Sequence, residues 1–140
     1  MTLDLLDVYA QERAGEKTDW FSILPQELLS TATRVSGLQL CTRSFGVMLQ
    51  IVTANEVGAA SFTPKILVPN GVSAGADLVV VTFTAIVAVG TNLLVVYPGA
   101  TDLGTEDKVA TLPREWKLEL TYAGTPASDK MDTLVYGRYI

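Results

Sequence analysis

Residues 78–97 read Leu78-Val79-Val80-Val81-Thr82-Phe83-Thr84-Ala85-Ile86-Val87-Ala88-Val89-Gly90-Thr91-Asn92-Leu93-Leu94-Val95-Val96-Tyr97, 20 consecutive positions without a charged side chain. A run of that length and apolarity is long enough to cross a bilayer as a helix, so its reading decides between a membrane chain and a β-fold. Three features favour strands. Val, Thr and Ile dominate, and β-branched side chains suit a pleated surface better than a helix. Gly90-Thr91-Asn92 is a turn signal inside the run, and no Lys or Arg flanks it closely enough to anchor a membrane span. In the first half, Val79, Val81, Phe83, Ala85, Val87 and Val89 share one face at period two, with Thr82 and Thr84 on the other. The segment therefore predicts two long strands joined by a short turn, and no membrane partner.

The same alternation extends outward from this run. In 116–122, Trp116, Leu118, Leu120 and Tyr122 fall on one face and Lys117, Glu119 and Thr121 on the other, the pattern of a strand with one buried and one wet face. Residues 45–53, 62–68 and 132–139 read as further strands, and Pro64 restricts its strand to a sheet edge or a bulge. Turn residues fill 55–60, 69–71, 98–113 and 123–130. Six to eight short strands without helical spacers predict an all-β chain, a β-sandwich of jelly-roll type.

Residues 1–36 differ in character. They hold 6 of the 15 acidic and 3 of the 10 basic side chains, whereas 66–101 holds only Asp77. Leu5, Val8 and Tyr9 have helical spacing over a short stretch, but Gly15 and Pro25 stop a long helix. The expectation is an irregular, partly helical N-terminal arm over 1–36, followed by the sandwich domain over 37–140. Trp20, Phe21, Ile23 and Leu24 form an apolar cluster on that arm. Either the arm folds back and plugs its own sandwich, or Leu5, Tyr9, Trp20, Phe21, Ile23 and Leu24 anchor it to a partner.

Composition narrows the chemistry. At 140 residues the chain suffices for one domain that buries about 70% of its unfolded surface without a metal or disulfide. With no histidine there is no Ser-His-Asp triad, no Cys-His pair and no imidazole zinc site. The one cysteine, Cys41, reads as a small buried apolar residue in a chain made in a reducing cytoplasm. A net charge of −5 disfavours nucleic-acid partners and anionic lipid. The opening Met1-Thr2-Leu3-Asp4-Leu5-Leu6-Asp7 lacks the basic and long apolar stretches of a signal peptide, so export by that route is not expected.

Candidate constellations resolve into ordinary loops. Asp102, Glu106 and Asp107 with Gly104 lack calcium-loop spacing and read as a solvated turn. Gly71, Ser73, Ala74 and Gly75 lack the Gly-Lys-Ser/Thr ending that cradles phosphate. Arg114 beside Glu115, and Asp129 beside Lys130, read as surface charges. No nucleophile, base and orienter are marked out together, so the expectation is a binding or structural protein with no catalytic residues, cofactor or metal.

Several short stretches resemble small virion proteins of tailed bacteriophages: Leu5-Leu6-Asp7-Val8, Ser36-Gly37-Leu38, Leu94-Val95-Val96-Tyr97-Pro98-Gly99, the strand 116–122, and Leu134-Val135-Tyr136-Gly137. They are similar in particular to the capsid cement, or decoration, proteins of short-tailed phages. The resemblance spans most of the chain and rests on short apolar motifs. It implies a jelly-roll homodimer, bound in many copies to the outside of an icosahedral shell of major capsid protein. It transfers no catalytic residues.

For the dimer, the 78–97 hairpin offers an edge to pair with its twin, or a second apolar face. Val80, Ile86, Leu94 and Val96 lie opposite the expected core and are the expected self-association residues. Two other functions share the composition. A head-to-tail joining or tail-tube protein would form rings, and a carbohydrate-binding module would present Trp116 or Tyr97 on a flat sheet face.

Overall fold

The computed structural model describes residues 19–70 and 76–140, and among them the chain is all-β, without a helix. Its strands are β1 (Phe21–Ser30), β2 (Arg34–Val35), β3 (Gln39–Leu40), β4 (Val47–Val57), β5 (Ser61–Val68), β6 (Leu78–Thr82), β7 (Gly90–Tyr97), β8 (Glu106–Val109), β9 (Glu115–Ala123) and β10 (Lys130–Tyr139). They form two sheets, one ordered β1-β10-β4-β7-β8 and the other β2-β9-β5-β6, with β3 also pairing β9. The arrangement is that of a β-sandwich.

Alternation builds the core. In the first sheet, Val47, Leu49 and Ile51 of β4 stand beside Val96, Leu94 and Asn92 of β7, and beside Tyr139, Gly137 and Val135 of β10. In the second, Trp116, Leu118 and Leu120 of β9 and Phe62 and Ile66 of β5 are fully buried. Both inner faces belong to one hydrophobic cluster. Gly137 leaves room there for Ile23, whose Cδ1 would lie 2.4 Å from a Cβ at that position and would have to turn aside. Gly46, entering β4, is held closer still: a Cβ would meet the Val96 carbonyl oxygen at 2.0 Å.

Three sequence expectations change. The 78–97 run is strand at both ends but not a hairpin, since β6 and β7 belong to different sheets. After Thr82 the chain leaves its ladder, touches β5 once more through the Phe62–Ile86 bridge, and crosses to the first sheet. The crossing shifts the buried set from Val81 and Phe83 to Ile86, leaving Ala85, Val87 and Val89 exposed.

Residues 21–35, expected to be part of an irregular arm, form β1 and β2, strands of the two sheets. The expected helical part lies before residue 19, outside the described residues. Finally, 98–113 contains β8, which pairs parallel to β7 after a short connection.

Pro64 sits inside the second sheet, between β9 and β6, yet its missing donor falls where the β6 ladder ends. There the Pro64 carbonyl accepts from Phe83 N at 2.9 Å, and the next pairing is the Phe62–Ile86 bridge.

Candidate interaction surfaces

The two lateral sides of the sandwich are built differently. On the first, β1 is an edge strand with three register shifts against β10, so residues 25–29 bow outward. Leu28 is 69% and Leu29 41% exposed. Asp132, buried on β10, fixes this bow: its Oδ1 accepts from Leu29 N and its Oδ2 from Asn55 Nδ2, both at 2.7 Å. Leu29 and Asn55 both hold left-handed backbone, at φ 48° and 51°.

Arg34 then ties the sheets together from β2. Its guanidinium donates to the Thr133 carbonyl and hydroxyl on β10 and to the Pro25 carbonyl on β1, and pairs with Glu27 at 2.8 Å. Such a charge-assisted fork, with an Arg34 side chain only 12% exposed, is far stronger than a free surface pair.

The other side is apolar. β6 is the outer strand of the second sheet, and its register steps from Ile66↔Val81 to Leu67↔Val79, leaving Val80 as the extra residue of a bulge. The bulge breaks alternation, so Leu78, Val79 and Val80 are all exposed. Val87 and Val89 continue the apolar exposure along the connection to β7. A cleft of about 550 Å³ lies beneath that connection, reaching Leu94, Thr105 and Glu106. Glu106 stitches its wall, accepting from Thr84 N and the Thr84 hydroxyl.

No family model matches the chain, and neither does any curated protein or solved structure.

Of the expected self-association residues, Val80 is exposed, but Ile86, Leu94 and Val96 are core side chains with at most 7% exposure. They cannot form a free face, because the β6–β7 crossing turns Ile86 inward and β7 belongs to the sheet that puts Leu94 and Val96 inside. The expected arm anchors are divided too. Ile23 and Leu24 are buried in the chain's own core, and Phe21 packs against Tyr139 with ring centroids 4.9 Å apart. Trp20 is 39% exposed, and Leu5 and Tyr9 lie outside the described residues.

The acidic loop has a structural role. Asp107 accepts from Leu103 N and Gly104 N, bracing the connection that carries the chain from β7 to β8. Trp116 is fully buried, as its place on the apolar face of 116–122 predicts, and Tyr97 is half-buried, so neither stands free on a sheet face as a sugar-binding module would need. Sequence reasoning missed Leu78, Val79, Val87 and Val89 as surface residues, because strict alternation assigns Val79, Val87 and Val89 to the core.

Proposed function

We propose that this protein is a phage virion structural protein that binds the outside of the capsid shell. There it cements neighbouring major capsid protein subunits and stabilises the DNA-filled head. It acts by binding alone, without catalysis or cofactor, and is made in the host cytoplasm before joining the particle. The resemblance in the sequence supplies the class of particle.

The observation that carries the reading is the distribution of exposed apolar side chains. Two groups of them stand on opposite sides of one sandwich, Leu28, Leu29 and Val35 at β1–β2 and Leu78, Val79 and Val80 at β6, while others such as Phe45 and Val109 stand singly elsewhere. A two-sided contact protein needs such a distribution.

The finer fold supports the same reading. With β2 and β3 counted as one interrupted strand and β8 set aside, eight strands remain. The first pairs the last (β1–β10), the second the seventh (β2–β9), the third the sixth (β4–β7), and the fourth the fifth (β5–β6). That nested pairing is what a long antiparallel hairpin gives when rolled into two sheets, and we read it as a jelly roll, an architecture frequent in viral capsid domains.

The mechanism follows from linkage. A clamp touching two neighbours across a seam binds the assembled lattice better than separate subunits, and so stabilises it. The second contact benefits from high effective concentration, so modest single contacts suffice, the more so for a homodimer. A net charge of −5 suits a position away from packaged DNA.

The test is co-sedimentation of the purified protein with DNA-filled shells and with free major capsid protein, together with heat release of DNA. Saturable binding to shells alone, with a raised release temperature, is expected. Absence from the shell overturns the reading, and rings of six or twelve copies at the neck or tail would place the protein in a joining or tail-tube role instead.

A further inference from the structure

We propose that the β6 edge is the surface through which two copies of this chain associate, in an antiparallel contact about a two-fold axis at Val80. The inference deepens the cementing reading, on which it rests for its biological purpose.

Four observations support a second copy as the occupant. First, β6 is an outer strand without Lys, Glu, Asp or Pro, the residues that usually blunt a sheet edge. Second, its one irregularity, the bulge at Val80, turns Leu78, Val79 and Val80 to solvent together and makes an apolar strip.

Third, the edge continues beyond Thr82 through the Phe62–Ile86 bridge, so that it follows β5 from Val68 back to Phe62. About an axis at Val80 the part of this edge that pairs with its twin is β6 itself, 5 residues and so roughly 16 Å of strand. Thr82 and Thr84 are exposed beyond the Leu78–Val80 strip and give it a polar border, and Val87 and Val89 stand past them at the far end.

Fourth, charge selects the partner. The chain carries −5 overall, yet no charged residue occurs from 78 to 101. The nearest charges are internally paired: Asp77 with Lys117 at 3.0 Å, Lys65 with Glu119 at 3.8 Å, and Glu106, which accepts from Thr84 beside the edge, with Lys108 at 3.3 Å. This is the part of an acidic molecule that can approach its own copy without repulsion, and it offers nothing to a charged partner.

A two-fold axis at Val80 sets Leu78 against Thr82, Val79 against Val81, and Val80 against itself. The surface is self-complementary, as a symmetric dimer requires.

The test uses the full chain. Cys41 is 2% exposed, so Val80→Cys introduces an accessible thiol on the proposed axis. Directly opposed residues in antiparallel strands have Cα atoms about 4.5–5.5 Å apart, within disulfide reach. Under mild oxidation Val80→Cys should convert to a covalent dimer, whereas Val109→Cys, 72% exposed on β8, should remain uncrosslinked. In sedimentation velocity the native chain should run as a dimer, and Val80→Lys should halve the sedimenting mass with an unchanged circular dichroism spectrum.

A monomeric native chain, or a dimer that survives Val80→Lys while Val80→Cys fails to crosslink, overturns the inference. Shell co-sedimentation is scored separately. A dimer through β6 that ignores shells removes the cementing reading and leaves this inference standing, whereas shell binding by a monomer does the reverse.

Discussion

The two lateral sides of the sandwich solve the same problem in opposite ways. At β1–β2 the edge is irregular, but polar groups lock it. Asp132 holds Leu29 and Asn55, Ser30 and Thr133 share a buried hydrogen bond at 2.9 Å, and Arg34 reaches from one sheet to the other. At β6 the strand is short, and among the described residues no polar lock covers Leu78, Val79 or Val80. The polar locks lie on the first side, and the surface we propose for association lies on the second. Both sides expose leucines or valines, so exposure alone does not separate them; what differs is whether the backbone beneath is held by charge-assisted hydrogen bonds.

The largest effect on this contrast is expected from Asp132→Ala. It removes the buried carboxylate that accepts two part-buried, charge-assisted hydrogen bonds, from the Leu29 N–H and the Asn55 amide, a loss of about 3 kcal/mol read as a lowered urea midpoint. Arg34→Ala should follow at about 2 kcal/mol, because the Thr133 and Pro25 carbonyls lose a charged donor. A loss in either variant as small as that of an exposed surface change would mean that β1–β2 is not locked as described.

Leu29→Gly should act in the other direction. Relief of left-handed backbone at φ 48° outweighs the added freedom of glycine by about 0.5 kcal/mol, measurable as a raised melting temperature.

A third place, at the end of the sandwich, sharpens the comparison by pH. Asp129 accepts from Ala59 N and from Thr125 N, and these N–H groups, Ala59's first, hold its carboxyl below the ordinary value of 3.8. A depressed folded-state pKa gives stability that is present above the unfolded value and is lost as pH falls through the folded one. The stability difference between the native chain and Asp129→Asn should therefore stay constant near neutrality and shrink below about pH 3.8 in acid titrations followed by fluorescence.

The smallest effect on folding is expected at β6. At concentrations where both chains are monomeric, so that the mass-action stability of a dimer does not enter, Val80→Lys should change the unfolding free energy by less than about 0.5 kcal/mol. A large loss of stability there would show that the β6 side also carries the fold.

The strands easiest to read were those with one face on the opposite sheet. β9 was legible because Trp116, Leu118 and Leu120 alternate with Lys117, Glu119 and Thr121, and β4, β5 and β10 were found for the same reason. β1 was hidden: Pro25, Gln26 and Glu27 look like loop, and only pairing with β10, more than 100 residues away, makes the segment a strand. β8 was hidden as well, since four residues carrying three charges have no strand signature of their own. Of the candidate surface, Val80 was legible, whereas Ile86, Leu94 and Val96 were placed on the wrong face. Period-two counting assumes one unbroken ladder, and the 78–97 run is broken by a bulge and by a change of sheet.

By itself the sequence determined that this chain is built of strands, that it lacks histidine chemistry, and that its middle is uncharged over 78–101. These are local properties, set by side-chain shape and charge. Only the tertiary structure decided which valines are core and which are surface. Burial depends on the distant strand that covers a face: Val96 lies under the second sheet, while Val80, at the outer edge of that sheet, is covered by no strand among the described residues.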